Sequence, residues 1–244
     1  STLTEELLIT LVYHKALDQA WEDEIKQLAA TLPSYLKISF IGRSKKQKVM
    51  LNNDFVIEEL FINKRTYQFK QIENSFTQPN ARVNCNMIEW SMAQVSDQNR
   101  DLLELYCGAG NFSVPLASCF NNVLATEISK TSVNAAQCNI EMNKIDNLTI
   151  VRLSSEEFVE AMSGVRAFRR LSDIDLTKYD FSTVLVDPPR AGIDHKTLDL
   201  IQQFDNIIYI SCNPLTLAEN LETLCLTHDI KRAAVFDQFP FTDH

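Results

Sequence analysis

The apolar positions of this chain follow two different rhythms, which change near residue 71. Residues 6–13 form an apolar segment typical of a strand, and residues 17–32 carry apolar side chains at helical spacing. Short apolar segments between charged or Asn-rich turns then predict four further strands, at 36–41, 48–51, 56–61 and 66–70. We therefore expect a small α+β subdomain over residues 1–71 and a second domain over residues 72–244.

The second part of the chain alternates strands with helices. Helices are predicted over residues 81–95 and 214–226, and a long polar loop over residues 164–178. Six strands are predicted, at 102–106, 123–126, 148–153, 183–186, 207–210 and 233–236. This alternation is typical of an α/β fold with a parallel, doubly wound, Rossmann-like sheet, which binds ligands at the carboxyl ends of its strands.

Composition narrows the class of protein. With 244 residues and 45% hydrophobic content, the chain is long enough for a packed core. The net charge of −9 argues against a general nucleic-acid coat, and the six cysteines and four histidines lack the spacing of a zinc site or a disulfide framework. No segment has the pattern of a signal peptide or a membrane span, so we expect a cytoplasmic protein with no metal and no membrane partner.

One basic run interrupts this acidic composition, and it contains Arg43, Lys45 and Lys46. A short charged run is most often a solvated loop, and the alternative is a local face that binds phosphate. Whether this run binds phosphate therefore depends on whether the second domain acts on a nucleic acid.

A glycine-containing turn in the second domain predicts a ligand site. The first predicted strand of that domain runs into Gly108 and Gly110, where the backbone can approach a ligand closely, although an ordinary tight turn has the same sequence. The next strand ends at Glu127, a place for a carboxylate that accepts both hydroxyls of a ribose. Ser113 stands where a dinucleotide site has its third glycine, so the pattern favours S-adenosylmethionine over NAD. Glu104 suits the amino-acid end of that cofactor.

Two later strands end in residues that carry chemistry. Asp187 is followed by two prolines, which rigidify the turn and hold the carboxylate in one direction. Cys212 directly precedes a predicted helix, whose N-terminus favours a thiolate. A thiolate that adds to carbon 6 of uracil makes carbon 5 nucleophilic enough to accept a methyl group. Arg190 stands where adenine methylases of nucleic acids place an aromatic side chain, which disfavours amino-group methylation.

Together these motifs resemble the S-adenosylmethionine-dependent RNA uracil-5 methyltransferases, most closely the members that act on the T loop of tRNA. The resemblance extends over nearly the whole chain, through segments 74–80, 104–113, 125–127, 186–192, 211–214 and 236–240. It implies a class I methyltransferase fold, S-adenosyl-L-methionine as cofactor, the T arm of tRNA as partner and Cys212 as the nucleophile. The cofactor contacts that it implies are Gln78, Tyr106, Asn111, Glu127 and Asp187, with Gly108 and Gly110 beside them. Phe76 and Arg190 are expected near the RNA, and the basic run gains weight as a further RNA contact.

From the residues alone, four of these positions keep a second interpretation. Gln78 has the sequence context of an ordinary turn residue, and Tyr106 that of a strand residue that fills the core. Asn111 suits a helix cap, and Arg190 suits an ion pair within its own turn.

Both ends of the sequence depart from the family pattern. Members of the family begin with a longer N-terminal segment that contributes to RNA binding, and they place a glutamate general base just beyond the Gln-Phe-Pro segment. This sequence stops at residue 244. We therefore expect a monomeric fragment that lacks part of its RNA platform, its general base and the last strand of its sheet, and that turns over poorly. The alternatives are a ribosomal-RNA uracil-5 methyltransferase and a non-catalytic RNA-binding module.

Overall fold

The computed structural model describes residues 3–96 and 99–240, which form three sheets and seven α-helices. The strands are β1 (Glu6–Val12), β2 (Lys37–Ser44), β3 (Gln47–Leu51), β4 (Phe55–Ile62), β5 (Arg65–Ile72), β6 (Asp101–Leu105), β7 (Val123–Thr126), β8 (Leu148–Val151), β9 (Phe181–Val186) and β10 (Asn206–Tyr209). The helices are α1 (Gln19–Thr31), α2 (Ala81–Ala93), α3 (Ser113–Leu116), α4 (Lys130–Asn143), α5 (Ser155–Met162), α6 (His195–Ile201) and α7 (Pro214–Leu224).

The first sheet has the order β1-β2-β3, with β1 parallel to β2 and β2 antiparallel to β3. Helix α1 connects the two parallel strands and begins at Asp18, whose side chain accepts a hydrogen bond from the backbone N–H of Trp21. Trp21 and Ile25 on α1 pack with Phe40 of β2 in a small core of their own. The apolar rhythm of residues 17–32 is therefore that of a helix with one buried face.

The hairpin β4-β5 belongs to a larger core. Its strands pair antiparallel, with Phe55 opposite Ile72, and join at a turn with positive φ at Asn63 and Lys64. The buried face of the hairpin, which includes Tyr67, packs in the same cluster as residues of the central parallel sheet. The predicted domain boundary near residue 71 stays a prediction.

The central sheet has five strands in the order β10-β9-β6-β7-β8, and every pairing in it is parallel. Successive residues of β6 point to opposite faces, and Leu102 and Leu103 are both fully buried because each face is covered. Leu102 joins the cluster that holds the hairpin and α2, while Leu103 joins the cluster around Phe158 of α5 and Leu198 of α6. The doubly wound α/β fold predicted from the sequence is confirmed.

The prediction of a strand over residues 233–236 is wrong. That segment has no regular secondary structure, because it finds no neighbouring strand to share backbone hydrogen bonds among the described residues. It lies instead against α2, where the rings of Phe236 and Trp90 meet edge to face with centroids 6.2 Å apart. An apolar alternation specifies an extended chain, but a strand also needs a partner.

The prediction that the C-terminal end lacks a general base concerns residues 241–244, which lie outside the described residues. Within the described ranges, none of the helices has both the length and the apolar character that crossing a membrane requires.

Candidate active site

The carboxyl ends of four strands of the central sheet open into one cleft of about 2110 Å³. Tyr106 follows β6, Glu127 follows β7, Asp187 follows β9, and Cys212 lies just beyond β10. Strand β6 lies between β7 and β9, so the cleft is at the point where the order of strands reverses. Open α/β sheets bind their ligands at this point.

The structure brings most of the predicted site residues together. The cleft is lined by Phe76, Gln78, Tyr106, Gly108, Asn111, Glu127, Asp187, Arg190 and Cys212. Gly110 packs behind the loop, where an added Cβ would stand 3.2 Å from Cγ2 of Val114. Lys45 and Lys46 are exposed at the turn between β2 and β3, away from the residues that line the cleft.

The loop after β6 is held by side chains from its neighbours. The Glu127 carboxylate accepts hydrogen bonds from the backbone N–H of Gly108 at 3.1 Å and of Ser129 at 2.7 Å. The amides of Asn111 and Asn84 bond each other reciprocally, at 2.7 and 2.9 Å. Asn111 is therefore no helix cap, since its side chain is occupied by a residue of α2. Glu127, directly after β7, and Asn84, in the first turn of α2, therefore hold the loop from two sides.

Tyr106 has a conformation that few residues other than glycine adopt. Its φ is +63°, and its hydroxyl accepts a hydrogen bond from Ser155 Oγ at 2.7 Å. Burial raises the pKa of Tyr106, so the hydroxyl stays protonated. Tyr106 follows the last residue of β6, packs against the buried cluster that contains Leu103, and also lines the cleft. Its predicted contact with the cofactor stays a prediction.

Two carboxyl groups lie at this edge of the sheet: Glu104 is fully buried beneath the cleft, and Asp187 is half-buried in its lining. Glu104 is fully buried in β6, and burial raises its pKa to about 8 although Ser113 Oγ donates to its Oε2. Its Oε1 is buried without a hydrogen-bond partner. Burial also raises the pKa of Asp187 to about 7, and the charge of Asp187 further raises that of Glu104. At neutral pH the floor of the cleft therefore carries a protonated Glu104 and an Asp187 close to its titration point.

Cys212 is exposed to the cleft and lies next to the turn that contains Arg190. Asn213 caps α7 through its side-chain oxygen, which accepts from the N–H of Leu215, while its amide nitrogen donates to the carbonyl of Arg190 at 3.1 Å. Thr216 Oγ1 donates to the same carbonyl at 3.4 Å. The start of α7 thus ties the nucleophile loop to the Asp-Pro-Pro-Arg turn. In the described part of the chain, the Arg190 guanidinium forms no ion pair, so it is available to a ligand.

The same turn is locked further along by Asn220 of α7. Its side chain accepts from the N–H of Ile193 at 3.0 Å and from the hydroxyl of Tyr209 at 2.8 Å, and it donates to the carbonyl of Ile193 at 3.2 Å. Gly192 precedes this contact with φ +80°, and an added Cβ would stand 2.9 Å from Asn220 Oδ1 and 3.2 Å from Thr216 Cβ. There is no space for a side chain at this position.

The variant Gly192→Ala is expected to lower the free energy of unfolding by about 3 kcal/mol, because positive φ and crowding act together. Gly164→Ala is the matched control, since Gly164 has φ +67° but open space around its Cβ position. It should lose only about 1 kcal/mol, the cost of the backbone conformation. Urea-induced unfolding measures both. Equal losses in the two variants would show that the contact with Asn220 does not exclude a Cβ at position 192.

Gln78 is linked to a residue far away in the sequence. Gln238 Nε2 donates to Gln78 Oε1 at 3.2 Å, and Gln238 Oε1 accepts from the N–H of Asn80 at the start of α2. The extended segment near residue 238 therefore covers the turn in which Gln78 lies. Gln78 lines the cleft, and its side chain is oriented by this contact, but its predicted role as a cofactor contact stays a prediction.

Two side chains of the basic run, Arg43 and Lys48, are engaged in ion pairs. Arg43 forms two hydrogen bonds to the carboxylate of Glu73, and Lys48 bonds Asp54 at 2.8 Å. The hydrogen bond with Arg43 lowers the pKa of Glu73. Arg43 lines a second cleft of about 460 Å³, which Phe76 shares with the larger one. A role of the basic run in RNA binding stays a prediction.

Three buried or partly buried amides at the site were missed by reasoning from the sequence: Asn84, Asn139 and Gln238. Asn84 and Asn139 each lie in the interior of a helix, where asparagine is unfavourable unless its side chain has a specific partner. An asparagine inside a predicted helix is therefore a sign, readable from the sequence, that its side chain has a specific partner. Gln238 belongs to one of the segments that carry the family resemblance, but its partner is not apparent from the sequence.

The chain is similar to proteins of named activity. The profile of the tRNA (uracil-5-)-methyltransferase family matches residues 1–244. A tRNA/tmRNA (uracil-C(5))-methyltransferase of Pseudoalteromonas atlantica is 61% identical over 100% of this chain and 67% of its own length. A protein of the same name from Shewanella frigidimarina is 55% identical over 100% of this chain and 67% of its own length. The chain thus spans about two thirds of the length of these curated relatives.

A solved structure supports the fold. The crystal structure of Pyrococcus abyssi tRNA (uracil-54, C5)-methyltransferase in complex with S-adenosyl-L-homocysteine matches with a TM-score of 0.71 and 22% identity, over 98% of this chain and 54% of that one. The α/β methyltransferase fold implied by the sequence is confirmed by this match. The family profile and the sequence identities establish that the chain belongs to the tRNA (uracil-5-)-methyltransferase family.

Proposed function

We propose that this chain carries the catalytic site of an enzyme that transfers a methyl group from S-adenosylmethionine to carbon 5 of a uridine in the T loop of tRNA. The observation that supports the proposal is the position of Asp187 and Cys212 at the ends of adjacent strands, in one cleft. The bonds from Asn213 and Thr216 to the Arg190 carbonyl hold the two strand ends together.

The residues of the cleft fit the cofactor. An added Cβ at Gly108 would meet nothing within 4 Å, so the loop leaves open space where a ligand can approach the backbone. The Glu127 carboxylate lies beside that space and suits the two hydroxyls of a ribose. Asp187 lines the cleft and supplies a carboxyl group for the amino-acid end, whereas Glu104 is fully buried beneath the residues that line the cleft. When bound, S-adenosylmethionine supplies an electrophilic methyl group.

Cys212 acts on the base. Its thiolate adds to carbon 6 of uracil, and the electrons of the carbon 5–carbon 6 double bond move into an enolate. Carbon 5 of this adduct then accepts the methyl group. A base removes the proton from carbon 5, the bond between carbon 6 and sulfur breaks, and the double bond and the thiolate are restored. We assign the base to no residue within the ranges 3–96 and 99–240.

The RNA side of the cleft is formed by Phe76 and Arg190. The Phe76 side chain is 78% exposed at the rim, where an aromatic ring can stack on an unpaired base. Arg190 is exposed and presents a guanidinium for phosphate or base edges. Lys45 and Lys46 lie apart from the cleft, at the turn between β2 and β3, where their exposed ammonium groups suit a further contact with RNA phosphates.

The test is methyl transfer from radiolabelled S-adenosylmethionine to a T-arm hairpin, followed by digestion to nucleosides. Label on the RNA, free or linked to protein, reports methyl transfer whether or not the adduct is released. RNA that is released should yield 5-methyluridine on digestion, and RNA that stays bound should carry the label in a shifted band on a denaturing gel. A hairpin with cytidine in place of the target uridine should remain unlabelled.

Two controls distinguish the alternatives. A hairpin from ribosomal RNA with an unpaired uridine should be labelled at least about 10-fold less than the T arm. Contacts between an enzyme and its substrate favour the correct substrate over a competing one by a few kcal/mol. Equal or preferential labelling of the ribosomal hairpin would contradict the T-loop assignment. Binding of the T arm with no label on any RNA would support a non-catalytic module.

A further inference from the structure

Asn139 of α4 is fully buried in the wall of the cleft, and both ends of its amide are used. Its Nδ2 donates to the carbonyl of Ala109 at 2.8 Å, in the middle of the glycine-containing loop. Its Oδ1 accepts from the backbone N–H of Lys70 on β5 at 2.7 Å. One side chain therefore connects the loop to the hairpin β4-β5.

Asn143, one turn further along α4, makes contacts of the same chemistry with the hairpin and with its own helix. Its Oδ1 accepts from the N–H of Gln68 at 2.9 Å, and its Nδ2 donates to the carbonyl of Gln68 at 2.7 Å and to that of Asn139 at 2.8 Å. No bond between Asn143 and the loop is among these. The two asparagines differ chiefly in that single contact.

Asn139 bonds the carbonyl of Ala109, while other groups hold the residues on either side: the N–H of Gly110 donates to the carbonyl of Cys107 at 2.9 Å. Glu127 holds the N–H of Gly108, and Asn84 holds the side chain of Asn111. Asn139 also lines the cleft, but its amide bonds the backbone of the loop at Ala109. Without this bond, the carbonyl of the half-buried Ala109 would lose its partner, and this part of the loop could change its conformation.

We propose that Asn139 is a positioning residue for the cofactor: it fixes the loop over residues 108–110 in the conformation that receives S-adenosylmethionine, and it couples that loop to the hairpin. The inference rests on the proposed function, because it assumes that the cofactor binds in this cleft. It assigns a binding role to a residue that itself need not touch the reacting atoms.

The test compares Asn139→Ala with Asn143→Ala in the full 244-residue chain. Both variants lose bonds to the hairpin, so both should unfold at a lower temperature. Only Asn139→Ala should bind S-adenosylhomocysteine about 10-fold or more weakly by titration calorimetry, the effect of one buried hydrogen bond on a binding loop. In single-turnover assays it should raise the S-adenosylmethionine concentration that gives half the maximal rate of methyl transfer, and leave the rate at saturating cofactor close to that of the wild type.

Asn139→Asp keeps the inference testable where the alanine variant does not fold. Its carboxylate still accepts from the N–H of Lys70 but presents an acceptor to the Ala109 carbonyl, so S-adenosylhomocysteine affinity should again fall about 10-fold. Equal affinity in the Asn139 variants and Asn143→Ala would overturn the proposal. Wild-type protein that binds no S-adenosylhomocysteine would instead contradict the proposed function, so the two failures are distinct.

Discussion

Replacing Cys212 by alanine is expected to lower methyl transfer to RNA by at least about 10³-fold, because the variant has no thiolate to add to carbon 6 of uracil. The side chain is exposed in the cleft beside the Arg190 turn, so its loss removes a reactive group and little packing. The sharpest measurement uses a T-arm hairpin that carries 5-fluorouridine. Fluorine at carbon 5 cannot leave as a proton does, so the adduct remains and appears as a shifted band on a denaturing gel.

Cys225→Ala is the control for this variant. Cys225 is also exposed and also lines the cleft, but it lies at the C-terminal end of α7, away from the strand end. It should retain methyl transfer and the shifted band at wild-type levels. A shifted band that persists in Cys212→Ala, or one that disappears only in Cys225→Ala, would show that the nucleophile has been assigned to the wrong residue.

Changing Glu104 to glutamine is expected to remove a strong pH dependence of stability. Burial raises the pKa of Glu104 from 4.5 to about 8, so between these values the folded protein binds a proton that the unfolded chain has released. The stabilisation from this proton is complete below pH 4.5 and is lost as pH rises through 8. Linkage gives a loss on the order of 3 kcal/mol between pH 5 and pH 8 from this group alone. The glutamine variant should lose that much less over the same range.

Urea-induced unfolding at a series of pH values measures this slope, which does not depend on the absolute stability of the variant. Glu24→Gln is the control, since Glu24 is exposed on α1. Its slope should match that of the wild type. If Glu104→Gln also keeps the wild-type slope, Glu104 is ionised in the folded protein and the floor of the cleft carries a full negative charge.

The strands and helices of the central domain could be predicted because the apolar residues of each buried segment repeat at the spacing of a strand or of a helix. The positions of Glu127, Asp187 and Cys212 followed from the same reasoning, since a polar residue directly after an apolar strand must lie at the ligand edge of a parallel sheet. Local pattern failed where the deciding partner is distant. Residues 233–236 have the apolar pattern of a strand, but the neighbour that they contact is a helix.

The orientation of the site residues was beyond sequence reasoning for the same reason. Gln78 is oriented by Gln238, which lies 160 positions away along the chain. The pKa of Glu104 depends on burial and on a neighbouring strand, neither of which its own segment specifies. For Asn111, the residues alone also suit a helix cap, because a cap is a local feature, whereas the partner of its side chain is Asn84 of α2.

The asparagines of α4 have a consequence beyond the cleft. The outer edge of β5 presents the backbone N–H groups of Gln68 and Lys70, and a bare strand edge is a template for pairing with another molecule. The side chains of Asn139 and Asn143 occupy these groups, and Arg65 adds a bond from the strand to the carbonyl of Asn143. A helix thereby supplies the bonds that a third strand would supply, and this edge is closed to intermolecular strand addition and to the aggregation that follows from it.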